Sequence, residues 1–137
     1  MSRPFSLRLY AAASAVADLA APMLLRRRAD RGKEEPSRLG ERRGYASRQR
    51  PQGALAWVHA VSVGEAISTL PLIARLRSAR PDLAILLTTG TRASAEMLAT
   101  RLPEGVIHQF APVDTPQATS RFLRHWRPDM AVFVESE

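Results

Sequence analysis

Three carboxylates stand where a β-strand is expected to hand over to a turn. Glu65 follows the apolar run Trp57-Val58-His59-Ala60-Val61, and Glu135 and Glu137 follow Met130-Ala131-Val132-Phe133-Val134. Ligands bind at the carboxyl ends of the strands in open α/β sheets, so acids at that rim are placed to meet one. Glu65 also has a plainer reading. It falls in the first turn of the helix after Ser62 and Gly64, where free backbone N–H groups and the helix dipole favour a negative charge by roughly 0.3–1 kcal/mol. Ser62 and Gly64 are small enough for a tight strand-to-helix turn. A second turn, Thr88-Thr89-Gly90-Thr91, offers hydroxyls and N–H groups at Thr89 and Gly90 that suit an anion or sugar hydroxyls, while Thr91 equally suits an N-cap.

Other chemistries lack their residues. His59, His108 and His125 are scattered without ligand spacing, so no protein metal site is expected. There is no Gly-x-Ser-x-Gly elbow for a serine nucleophile, and neither a Walker pattern nor G-x-G-x-x-G for a nucleotide. The chain has no cysteine, which excludes disulfides and thiolate metal sites. No cofactor is expected.

The elements that must position these residues follow a regular alternation. Strand-like runs at Leu55–Ser62, Leu83–Thr88, Val106–Phe110 and Met130–Glu135 are separated by segments with helical patterning, about one βα unit apart. Right-handed crossovers then give a parallel, doubly wound sheet of at least four strands with helices on both faces. The first helix runs from about Glu65 to Ala79. Pro71 either kinks it or sits in the first turn of a main helix that starts near Thr69. A second helix is expected from about Arg92 to Arg101. A third carries Phe122, Leu123 and Trp126, is capped by Asp114 or Thr115, and ends before Pro128.

Charge divides the 137-residue chain. Residues 1–50 hold 12 Arg and Lys against 5 Asp and Glu, whereas residues 51–137 hold 8 of each. The net +7 therefore belongs to the leader, the α/β part needs no polyanion, and nucleic acid is not an expected partner. The organisation read from this is an apolar, membrane-associating helix with a basic end at 1–28, a basic linker at 29–53, and a Rossmann-like domain at 54–137. The leader is about the length a bilayer span requires, but it is Ala-rich and interrupted by Arg8 and Asp18, so an amphipathic or monotopic helix fits better. Arg26-Arg27-Arg28, then Arg31 and Lys33, favour the cytoplasmic side and anionic headgroups. A helix docked on protein is the competing reading. A signal peptide fits poorly, because the arginines follow the apolar run instead of preceding it. In the linker, Arg38, Arg42, Arg43 and Arg48 are either solvated or turned toward an anionic substrate.

The motifs together resemble a known family. Trp57–Glu65 with Leu70-Pro71-Leu72, then Leu87-Thr88-Thr89-Gly90-Thr91, Pro112-Val113-Asp114-Thr115-Pro116, Arg121-Phe122, Arg127-Pro128 and Val134-Glu135-Ser136-Glu137 are similar, in this order and spacing, to the amino-terminal domain of 3-deoxy-D-manno-octulosonic acid (Kdo) transferases. The resemblance implies one half of a GT-B glycosyltransferase, in which two Rossmann-like halves face across a cleft. It implies transfer of Kdo from CMP-Kdo to the lipid A precursor lipid IVA, with inversion at the anomeric carbon, at the cytoplasmic face of the bacterial inner membrane. Carried over by motif, Glu65 matches the general base and Glu135 the carboxylate that steadies the transition state; Ser62, Gly64, Thr89, Gly90 and Glu137 are candidate substrate contacts. A positioned carboxylate is what an attacking hydroxyl needs, although a helix N-terminus makes Glu65 a weaker base. The half that binds CMP-Kdo is not in residues 1–137. The chain is therefore expected to be an acceptor-side half that is inactive alone: a truncated chain, a fragmentary gene product, or a piece that works with its missing half in trans.

Overall fold

The computed structural model describes residues 4–135, so Ser136 and Glu137 lie outside the described residues. A long helix α1 (Phe5–Asp30) comes first, then a 3₁₀ turn (Pro36–Arg38) and the one-turn helix α2 (Leu39–Arg42). The α/β part follows as β1 (Leu55–Ala60), α3 (Val63–Ala79), β2 (Ala84–Thr89), α4 (Arg92–Leu98), β3 (Val106–Phe110), α5 (Pro116–Trp126) and β4 (Met130–Val134). All four strands are parallel, in the order β3-β2-β1-β4.

Strand alternation sorts the core into two layers. Ala56, Val58, Ala60, Ile85 and Leu87 point to one face and pack under Ala66 and Ile73 of α3 and Leu98 of α4. Leu55, Trp57, Leu86 and Ile107 point to the other, where Phe122 and Trp126, one helical turn apart on α5, close over them. The α/β, Rossmann-like expectation with helices on both faces holds, and so does the apolar amino-terminal helix.

Several boundaries move. β1 stops at Ala60 because Val61 and Ser62 are already bound into the start of α3. α3 is one helix from Val63 to Ala79, with Pro71 inside it. Ile67 and Pro71 both lie on its exposed side, where water can serve the carbonyl that loses its donor. Thr115, not Asp114, caps α5 by accepting from the N–H of Ala118.

The stretch expected as a basic linker is folded onto the sheet. An open strand edge invites pairing with other chains, and here the β3 edge is covered. The N–H of Phe110 donates to Glu41 Oε2 at 2.8 Å, and Glu41 also accepts from Arg38 and from the Ser47 hydroxyl. Arg42 donates to the carbonyl of Ala111, and its own carbonyl accepts from the N–H of Val113. Gly44 is required here: it has φ +86° and lies so close to α5 that a Cβ would overlap the Ala118 carbonyl. Arg38 and Arg42 are thus neither loose in solvent nor held out toward a ligand.

Candidate active site

The strand order creates a crevice. The chain steps outward from β1 to β2 to β3, then returns through α5 to β4 on the far side of β1. Between β1 and β4 the connections diverge, and such a switch point is where open α/β sheets leave room for a ligand. Glu65 follows β1 and Glu135 follows β4, with Ala60 and Val134 paired just beneath them.

Local chemistry fixes Glu65 first. Ser62 is the N-cap of α3 and Glu65 is the third helical residue: Ser62 Oγ accepts from the Glu65 N–H at 3.3 Å, and Glu65 Oε2 accepts from the N–H groups of Val61 at 2.8 Å and Ser62 at 3.2 Å. This reciprocal capping box satisfies donors that the first turn would otherwise leave unbonded. The plainer reading of Glu65 is therefore realised, and Glu65 also stands at the rim beyond β1. Glu65 lines a cleft of ≈ 280 Å³ together with Ser62, Gly64, Ser68, Val134 and the exposed Glu135. One acidic residue at the start of α3 and one just past β4 thus line the same cleft.

Gly64 has a different reason for being small than the tight turn expected of it. Its φ is not positive, and a Cβ built there would meet nothing within 4 Å. Packing does not impose the glycine; its effect is to leave the helix N-terminus uncovered at the cleft, where the N–H groups of Val63 and Gly64 have no acceptor within the helix. Ser68, one turn after Gly64, also borders the cleft and donates its hydroxyl to the Glu65 carbonyl at 2.6 Å. Its i+3 spacing from Glu65 was the available signal for it.

The second turn sits differently. Thr89 is fully buried and its Oγ1 lies 2.8 Å from His108 Nε2, so its hydroxyl does not reach the cleft. Gly90 is half-buried beside the β1 turn, where a Cβ would come 3.5 Å from the Val61 carbonyl oxygen. Thr91 caps α4, accepting from the N–H of Ser94.

His59 is a satisfied strand histidine within β1. Its Nδ1 is 2.9 Å from Thr88 Oγ1, which also accepts from Trp57 Nε1 at 2.8 Å. Burial pulls the imidazole pKa below its ordinary value; a hydrogen bond to the Thr88 backbone and the charges of Glu65 and Glu135 oppose this, while Arg42 adds to it. The ring stands edge-on to Phe133 at 5.8 Å, and Phe133 is exposed on β4.

A larger cavity, ≈ 650 Å³, lies elsewhere, between the linker, α4 and the β3 edge. Four of its polar groups, Arg38, Glu41, Ser47 and His108, are engaged with one another. Arg38 Nη2 donates to His108 Nδ1 at 3.1 Å, which makes His108 the neutral Nε2–H form that donates to Thr89. Burial first and the Arg38 charge second push His108 down to about 4. Among the described residues no group of three or more His, Asp or Glu is arranged to hold a metal.

Comparison with known proteins bears on the cleft that holds the two carboxylates. No solved structure matches the chain. It is 44% identical over 133 residues to the probable mitochondrial 3-deoxy-D-manno-octulosonic acid transferase of Arabidopsis thaliana, which covers 97% of this chain and 30% of that protein. The 3-deoxy-D-manno-octulosonic acid transferase of Rickettsia prowazekii is 45% identical over 84 residues, 61% of this chain and 18% of its own length. That of Haemophilus influenzae is 36% identical over 103 residues, covering 73% and 24%. The chain thus spans less than a third of the length of these curated relatives. Residues 37–137, which include all four strands and the whole of the carboxylate cleft described above, match the family described as 3-Deoxy-D-manno-octulosonic-acid transferase (kdotransferase), and to that family the chain belongs.

Proposed function

We propose that this segment is the acceptor-side, amino-terminal half of a transferase that moves Kdo from CMP-Kdo to lipid IVA, the lipid A precursor, in lipopolysaccharide synthesis. The observation that supports it most is the shared cleft of Glu65 and Glu135 at the switch point. In this reading the acceptor hydroxyl attacks the anomeric carbon of Kdo with inversion. Its proton goes to Glu65, a new C–O bond forms, and the bond to phosphate breaks so that its electron pair leaves with CMP. Glu135 lends negative charge to the oxocarbenium-like centre. Ser62, Gly64 and Gly90 border the acceptor, and Glu137 is a further candidate contact. CMP-Kdo is held by a second Rossmann-like half, as in GT-B enzymes, and this segment has no turnover alone. Helix α1 is long and apolar enough to cross a membrane by length and composition, and its arginines fit an anionic lipid surface at the cytoplasmic face of the inner membrane.

Glu65→Gln tests the base. Glutamine can still accept the two N–H groups and preserve the helix start, but it cannot take up the proton. In a full-length transferase carrying this segment, kcat for Kdo transfer falls roughly 10²–10⁴-fold while the thermal midpoint stays put. A kcat equal to that of the parent removes Glu65 from the mechanism.

A further inference from the structure

Helix α1 carries two seams with the same alternating spacing of four and three. The inner one is Ser14, Asp18, Ala21, Leu25 and Arg28, and it is the side turned toward the α/β body: Ala21 and Leu25 are buried. Asp18, which interrupts the apolar leader, accepts from Arg121 Nη2 of α5 at 3.1 Å and faces the Thr115 hydroxyl at 3.4 Å. Arg28 ends the seam on Glu34, itself buried, at 2.9 Å. The outer seam is Phe5, Leu9, Ala12, Val16, Leu19 and Met23, about half a turn round the helix. Its large members are 57–82% exposed. Arg8 and Arg26, five turns apart and so on one side of the helix, border it, with Arg27, Arg31 and Lys33 at its end.

A helix that crosses a bilayer turns every side to lipid. For α1 that would break the Asp18–Arg121 pair and carry a carboxylate into hydrocarbon. A helix lying flat keeps the pair and immerses the outer seam, roughly 27 Å long, while Leu7, Tyr10 and Leu24 are exposed on its other sides. A second copy of this chain is a poorer occupant, because no Asp or Glu between Phe5 and Met23 except the docked Asp18 could meet Arg8 or Arg26.

We infer that α1 lies in the plane of an anionic lipid surface without crossing it, held on the α/β body by the Asp18–Arg121 pair. The inference rests on the lipid-surface reading above. The pair then fixes the attitude of the cleft to that surface, which makes Asp18 and Arg121 positioning residues.

The chain has no cysteine, so single cysteines at Leu9, Val16 and Met23 can each carry a fluorophore. They are read on phosphatidylglycerol–phosphatidylcholine vesicles with chains brominated at known depths. The expected result is one shallow depth for all three labels; a crossing helix would spread them over about 21 Å. Arg121→Asp should scatter the depths, and Asp18→Arg with Arg121→Asp should restore a single one, with tryptophan emission checking that α5 stays folded. Graded depths in the parent overturn the flat pose. Equal depths in Arg121→Asp overturn the pair's role. Absence of vesicle binding, or labels shielded only by self-association, overturns the lipid-surface reading itself.

Discussion

Two regions of this chain set carboxylates against backbone N–H groups and a histidine, and they come to opposite ends. At the β3 edge, Glu41 is 2% exposed and accepts from the Arg38 fork, the Ser47 hydroxyl and the Phe110 N–H, while His108 is pinned between Arg38 and Thr89. At the switch point, Glu65 also accepts from backbone N–H groups, but beside an uncovered helix start, an exposed Glu135 and open space. Hydrogen-bond satisfaction does not tell them apart; access does. The larger cavity belongs to the region where Arg38, Glu41, Ser47 and His108 are bonded to one another, so volume is a poorer guide than which carboxylate remains reachable.

The sharpest way to break this contrast is Glu41→Ala. Removing the carboxylate strands a partly buried guanidinium and the Phe110 N–H, and a stability loss of about 3–5 kcal/mol is expected in urea unfolding. A loss below about 1 kcal/mol would mean that the β3 edge does not depend on it.

Acid offers the next test. The native state holds His108 neutral down to about 4 against an ordinary 6.5, so between those values the unfolded chain binds the extra proton. Stability is then complete above pH 6.5 and falls as pH drops toward 4, by up to about 3 kcal/mol. His59 shifts in the same direction, so the His108→Gln variant isolates the effect. Urea midpoints measured across this window should slope less in the variant than in the parent, and parallel slopes would contradict the assignment.

The smallest effect is expected from Ser62→Ala, which deletes one half of the capping box. About 1 kcal/mol of stability is lost, read by thermal unfolding, with the Glu65 carboxylate still bonded to the Val61 N–H. A much larger loss would show that the rim, like the edge, is a structural clasp.

Local patterns were legible in the sequence and distant pairings were not. The strands, the Thr91 cap and the Glu65 position follow from runs and spacings within a few residues. The role of residues 34–48 does not, because Glu41 meets Phe110 and Arg38 meets His108 some 70 positions away. Asp18 read only as a charge spoiling an apolar helix until Arg121 was seen opposite it. His59 was given little weight as a strand histidine, and it bonds Thr88 across the sheet and packs on Phe133 of β4. Gly64 read as a turn residue, whereas the space around it points to access.

The pairing of β1 with β4 bears on how the cleft comes into being. Leu55 and Asp129 bond across a separation of 74 residues, while β1, β2 and β3 are joined through much shorter units. Among the described residues β4 pairs with β1 alone, so that one pairing carries it. Glu135 travels with that strand. The two acids therefore meet through a single long-range pairing, and whatever loosens β4 from β1 carries Glu135 away from Glu65.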